Sequence, residues 1–200
     1  MRSTGRLVLD RVNERLSVIA NWLVLLSALV SAGNAFSRYA FSLSSNAWLE
    51  IQWYLFSGIF LLGASYTLKL NEHVRVDLIY AHVSQRARLW IDVFGIICFL
   101  LPATIILIDM TWPFFLDSWQ RNEESNNAGG LLRWPVKLLL PAGFVFLTAQ
   151  GISELIKRIA AMQERLDAER QLAKIEAAVI AACDELGDEA LKERFLKELK

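Results

Sequence analysis

Residues 48–80 read WLEIQWYLFSGIFLLGASYTLKLNEHVRVDLIY, and this stretch decides the fold. Its first part, residues 48–68, carries one charged side chain, Glu50. A helix of that length rises about 1.5 Å per residue and matches a hydrocarbon core of roughly 30 Å, so it is expected to cross a membrane. A polar elbow follows, with Lys69, Asn71, Glu72, His73, Arg75 and Asp77. From Val76 the apolar positions Ile79, Tyr80, Val83, Ala87 and Trp90 recur at helical spacing, which predicts an amphipathic interfacial arm over about 71–88.

Three further windows are long and apolar: 16–36, 89–110 and 136–156. Each exceeds the eighteen residues that argue a membrane span. Hydrophobic residue types make up 54 % of the chain and charged types 21 %, a mixture that requires segregation along the sequence. The expected fold is therefore an all-α membrane protein of four transmembrane helices, with the interfacial arm between the second and third. Three regions follow: an amphipathic N-terminal segment over 1–15, a four-helix domain over 16–158, and a charged helical tail over 159–200. The apolar run after the N-terminal segment is too long, and Asp10 and Glu14 too acidic, for a cleaved signal peptide. The first span is expected to be retained.

Within the first span Ser27, Ser31 and Ala35 repeat small residues every fourth position, a face that lets another helix approach closely. Asn34 and Arg38 close it, positioned to reach the headgroups or a neighbouring helix end. The third span carries Pro102, whose missing amide hydrogen predicts a bend. Asp92 and Asp109 lie near its ends, where a carboxylate reaches water at little cost. Residues 111–135, with Pro113, Gly129, Gly130 and Pro135, read as a loop. Five of the seven tryptophans, Trp48, Trp90, Trp112, Trp119 and Trp134, fall at predicted boundaries, where an amphipathic ring anchors. In the tail, Gly187 and Asp188 predict a helix break.

Basic residues set orientation. Arg2, Arg6, Arg11 and Arg15 precede the first span, Lys69, Arg75, Arg86 and Arg88 lie between the second and third, and Lys157, Arg158, Arg165 and Arg170 follow the fourth. Against these twelve stand Arg38, Arg121, Arg133 and Lys137. Both termini are therefore expected in the cytoplasm.

The formal net charge is zero and no basic block stands out, which argues against nucleic acid as a partner. Cys98 and Cys183 have no metal-ligand spacing and read as two unpaired thiols. His73 and His82, the only histidines, sit in the polar elbow, whereas a haem-holding bundle needs them inside facing apolar helices. There is no P-loop, GxGxxG, HExxH or nucleophile elbow, so an enzyme is not expected and no cofactor is assigned to this chain. Glu50 is the one carboxylate with a second reading: a small oligomeric proton-coupled exporter needs an acid that titrates within the membrane. Its place near the boundary favours structure instead, through Arg38, Lys137 or a partner's helix end. A haem or quinone membrane anchor is the remaining alternative.

Asn34 and Arg38, Trp48 and Glu50, Gly63 and Ala64, and the elbow Glu72–His73–Val74–Arg75–Val76–Asp77 together resemble the small membrane (Q, DctQ-type) subunit of tripartite ATP-independent periplasmic (TRAP) transporters. The stretch Gly129–Gly130–Leu131–Leu132–Arg133–Trp134–Pro135 with Lys137, Pro141 and Gly143 is similar to the start of the fourth span in one branch of that family. The resemblance covers roughly residues 16–158. Ile51 departs from it where many members carry a second acid, and Glu72 where a glycine is common. The resemblance implies a multi-pass subunit of a bacterial inner membrane with two protein partners, a large multi-span membrane subunit and a periplasmic substrate-binding protein. The large subunit moves an organic acid in symport, driven by a sodium gradient, with sodium expected in that partner. The small one scaffolds it, and Asn34, Arg38, Trp48, Glu50, His73, Arg75 and Asp77 become candidate interface or structural residues.

Overall fold

The computed structural model describes residues 4–43, 45–70 and 83–186. Every regular element among them is helical: α1 (Thr4–Phe41), α2 (Asn46–Leu70), α3 (Gln85–Gly95), a π turn (Ile96–Leu100), α4 (Leu101–Gln120) and α5 (Trp134–Leu186). Four helical stretches, Arg11–Phe41, Asn46–Leu70, Gln85–Gln120 and Trp134–Cys183, are long and apolar enough to cross a membrane, as the four windows predict. The chain divides into two compact units, residues 1–156 and the part from Lys157 onward.

Local chemistry sets the helix starts. Ser45 Oγ accepts the Ala47 amide at 3.3 Å and opens α2, and Ser84 Oγ accepts the Ala87 amide at 3.4 Å and opens α3. Each hydroxyl satisfies one of the donors that a helix start leaves unpaired. Pro135 stands in the first turn of α5, where its missing N–H breaks no intrahelical bond.

One sequence expectation changes, and two others gain detail. No break separates an N-terminal surface helix from the first span, because α1 runs without interruption from Thr4 to Phe41. Residues 111–120, expected as loop, continue α4 to Gln120 with Pro113 inside it. The apolar and aromatic residues on both sides of that proline outweigh its single lost bond. At Pro102 the backbone answers with the π turn, in which the Leu101 amide reaches back five residues to the Ile96 carbonyl. The wider turn relieves the crowding between a proline ring and the preceding carbonyls.

Residues 71–82 lie outside the description, so the elbow residues Glu72, His73, Arg75 and Asp77 and most of the 71–88 arm are not placed. From Ser84 onward the chain already belongs to α3. The predicted break at Gly187 likewise falls outside the described residues.

In the first unit α1 and α2 are antiparallel neighbours. Leu23 lies so close to Gly58 that a Cβ there would meet its Cδ1 at 3.0 Å, and Lys69 pairs with Glu14 at 2.8 Å. The helix α5 packs on α2 at Gly143, where a Cβ would stand 2.7 Å from Leu61 Cβ. It packs on the third span at Gly151, over Leu100, and at Trp134, whose ring meets Trp119 edge-on at 4.5 Å. Absent side chains permit these close crossings.

Burial is inverted relative to a water-soluble protein. Among the described residues the buried set includes Asn13, Ser27, Glu50, Ser65, Thr104, Ser118, Gln150, Ser153 and Glu154, whereas Trp22, Trp53, Phe56, Phe60, Phe99 and Met110 are exposed, Phe60 by 76 %. A bundle solvated by lipid turns its apolar side chains outward and keeps its polar ones within. In the second unit the described residues are helical, and Arg170 pairs with Asp167 at 3.8 Å between exposed side chains. Both cysteines are free, Cys98 exposed and Cys183 buried.

Candidate functional site

Of the residues that carry the sequence resemblance, Glu50 and the stretch that begins at Gly129 meet at the end of the bundle where α2 begins. Helix α4 ends there in a Schellman turn. Asn122 takes a positive φ of 47°, the Glu123 amide bonds the Ser118 carbonyl at 3.0 Å, and the Asn122 amide bonds that of Trp119 at 3.2 Å. A short hairpin follows. Glu124 bridges Leu132 antiparallel, the Ser125 amide donates to the Leu131 carbonyl at 3.0 Å, and the Arg133 amide donates to that of Glu123 at 2.8 Å. Its tip is a β-turn closed by the Gly130 amide on the Asn127 carbonyl at 2.9 Å. Gly129 holds φ at +69° in that turn, a conformation glycine adopts without strain.

Glu50 plugs into this hairpin. Its Oε2 accepts the Leu131 amide at 2.7 Å, and its Oε1 accepts the Asn127 side-chain amide at 2.9 Å together with the Ser125 hydroxyl. Three donors from one loop converge on a buried carboxylate, the arrangement that compensates a desolvated charge. Two more bonds flank it: Asn46 Nδ2 donates to the Ala128 carbonyl at 3.2 Å, and the Tyr54 hydroxyl donates to that of Leu132 at 2.8 Å. The first turns of α2 are thereby strapped to the loop between the third and fourth spans.

Lys137, expected as a partner for Glu50, instead gives its ammonium to Glu123 and lies 3.9 Å from the centroid of the Phe114 ring. Arg133 approaches the same carboxylate at 3.9 Å. The Lys137 ammonium, with Arg133 adding to it, holds the Glu123 carboxyl below the usual carboxylate range.

Of the other candidate residues, Trp48 stands half-exposed two residues before Glu50. Arg38 is exposed in the last turn of α1, where a cation complements the helix dipole, and Asn34 is half-buried one turn earlier. The small-residue face divides: Ser27 is buried, whereas Ser31 and Ala35 are exposed. His73, Arg75 and Asp77 lie outside the described residues.

One polar cluster has no counterpart among the sequence candidates. At the opposite end of α2, Ser65 Oγ donates to Asn13 Oδ1 at 3.0 Å, Asn13 Nδ2 donates to Gln150 Oε1 at 2.6 Å, and Gln150 Nε2 donates to Glu154 Oε1 at 2.9 Å. All four side chains are buried, and together they join α1, α2 and α5. The one available signal was polar residues in the apolar fourth window, Gln150 and Glu154 standing one helical turn apart.

Comparison with known families adds an independent observation. The family described as "Tripartite ATP-independent periplasmic transporters, DctQ component" matches residues 27–161, 135 of the 200. The comparisons with curated proteins and with solved structures return no match. The matched segment contains α2, the hairpin and Glu50, together with Gln150 and Glu154 of the second cluster. By its match over most of its length and its four span-length helices, the chain belongs to the DctQ family, the small membrane component of TRAP transporters, a family of transporter parts and not of enzymes.

Proposed function

We propose that this chain is the brace of its transporter. It packs against a large multi-span subunit and holds it in the inner membrane, while that partner carries an organic acid delivered by a periplasmic binding protein and driven by sodium. Both termini face the cytoplasm in this reading, in accord with the twelve basic residues on that side.

The observation that supports it best is the commitment of Glu50. An exporter of the proton-coupled kind needs an intramembrane acid that sheds and regains a proton while facing its cargo. Here both carboxylate oxygens accept bonds from the chain's own loop, so proton uptake would open the strap. Glu50, Asn13, Gln150 and Glu154 serve the bundle's own cohesion, and its broad apolar faces are left for lipid and partner.

The test is reconstitution. The purified chain alone in liposomes is expected to move no carboxylate under a sodium or proton gradient, and co-expression with the large subunit is expected to yield a stable one-to-one complex. Uptake by the isolated chain, abolished by Glu50→Gln, would establish the exporter instead.

A further inference from the structure

Beside the Glu50 strap a cavity of about 360 Å³ opens between the start of α2, the end of α4 and the start of α5. Its walls are apolar below and polar above. Trp53, Ser57, Phe114 and Leu140 line the deeper part, and Asn127 and Arg133 stand with Glu50 at the top. From Glu50 to Ser57, and from Arg133 to Leu140, it follows the helices for about 10 Å. At the top, Trp48 stands two residues before Glu50, Trp134 follows Arg133, and Trp119 meets Trp134 at 4.5 Å, aromatic rings of the kind found at headgroup depth. The cavity thus begins at the interface and descends into the hydrocarbon layer, and Trp53, 65 % exposed, leaves its flank open.

The charges at its mouth are unequal in what they have left to offer. Glu50 is occupied by three loop donors, and Lys137 and Glu123 satisfy each other. Arg133 is the exception. Its contact with Glu123, at 3.9 Å, exceeds hydrogen-bond length, and its side chain is 41 % exposed. A guanidinium presents a planar fork of five donors suited to phosphate oxygens. Asn127, a second polar group at the mouth, donates to Glu50 and so orients that rim.

We infer that this cavity is a phospholipid site: Arg133 binds the phosphodiester of a lipid in the leaflet on the loop side, and one acyl chain lies against Trp53, Ser57, Phe114 and Leu140. The Arg133 fork, held to Glu123 only at 3.9 Å, has donors to spare for a headgroup phosphate, and an apolar tail fills the apolar depth. Neither a free anion nor a bare hydrocarbon matches both halves. The occupied site adds a lipid to the seam between α2 and α5, next to the strap.

The test uses the full chain in its native membrane, with a photoreactive benzophenone amino acid at position 57. Irradiation is expected to give a phospholipid adduct on the peptide containing that position, identified by mass spectrometry. Arg133→Gln is expected to lower the adduct about tenfold, the loss of one charge-assisted contact, and Arg133→Lys to restore part of it. Adding inorganic phosphate in excess is expected to leave it unchanged. A polypeptide adduct in place of lipid, an adduct insensitive to Arg133→Gln, or displacement by inorganic phosphate alone would each overturn the assignment.

Discussion

The amide of Leu131 donates to the carboxylate of Glu50 at 2.7 Å, across 81 positions of sequence. Through this bond the start of the second span takes hold of the loop leading into the fourth. Glu50→Asp, Glu50→Gln and Glu50→Ala should therefore loosen the hairpin in that order. The shorter acid still accepts but reaches less far, the amide brings its own N–H against three donors, and alanine leaves all three unpaired. Hydrogen exchange at the Leu131 amide reads the series directly, and equal protection in all three variants would sever the strap from stability.

The Asn13 cluster predicts a loss of coupling. Asn13→Ala leaves Ser65 Oγ and Gln150 Oε1 without their present partner inside the bundle, which should lower stability by about 1–2 kcal/mol. Asn13→Ala with Gln150→Ala should cost less than the two single changes added, because they remove the same bond. Unfolding in mixed micelles measures both.

Two glycines of the same protein should respond oppositely. Gly143→Ala places a methyl 2.7 Å from Leu61 Cβ and 3.2 Å from its carbonyl oxygen, and should destabilise by about 1–3 kcal/mol. Gly63→Ala meets nothing within 4 Å and should be neutral or stabilising by up to about 1 kcal/mol, the helix-propensity gain. Thermal melts of the two variants side by side decide it.

Acid should act on the hairpin through Glu123. Its carboxyl is held below the usual range by Lys137, so the folded state binds its proton less readily than the unfolded one. That contribution is complete above the unfolded carboxylate range, about pH 4. It is lost as pH falls through the lowered folded value. Lys137→Gln should move the Glu123 titration upward, towards the ordinary value, as followed by carboxylate NMR. An unmoved midpoint would separate the two residues.

Much of this architecture is legible in the sequence. Span length, tryptophan placement and the lone acid of the second window are local signals, and they point to four helices and to Glu50. The partners of that acid are not local. Ser125, Asn127 and Leu131 sit in a segment whose glycines and asparagines announce only a loop, and nothing in their order says which helix end they will cap. Asn13 illustrates the same limit, because a polar residue in a charged leader gives no sign that it will be buried against Gln150, 137 positions away. Pro113 misleads for the opposite reason. Its turn-forming preference is strong locally, but aromatic and aliphatic neighbours on both sides keep the helix intact around it.

The π turn at Ile96–Leu100 works as a phase adjuster. By holding more residues than an ordinary turn, it lets Trp90 and Phe94 on one side of it, and Trp112, Phe114 and Trp119 on the other, obey two different angular settings within a single span. Removing one residue there would swing the distal half by about 100°, lifting Phe114 off Lys137 and Trp119 off Trp134. A shortening deep in the bilayer would thus be felt at the water's edge, in a hairpin it never touches.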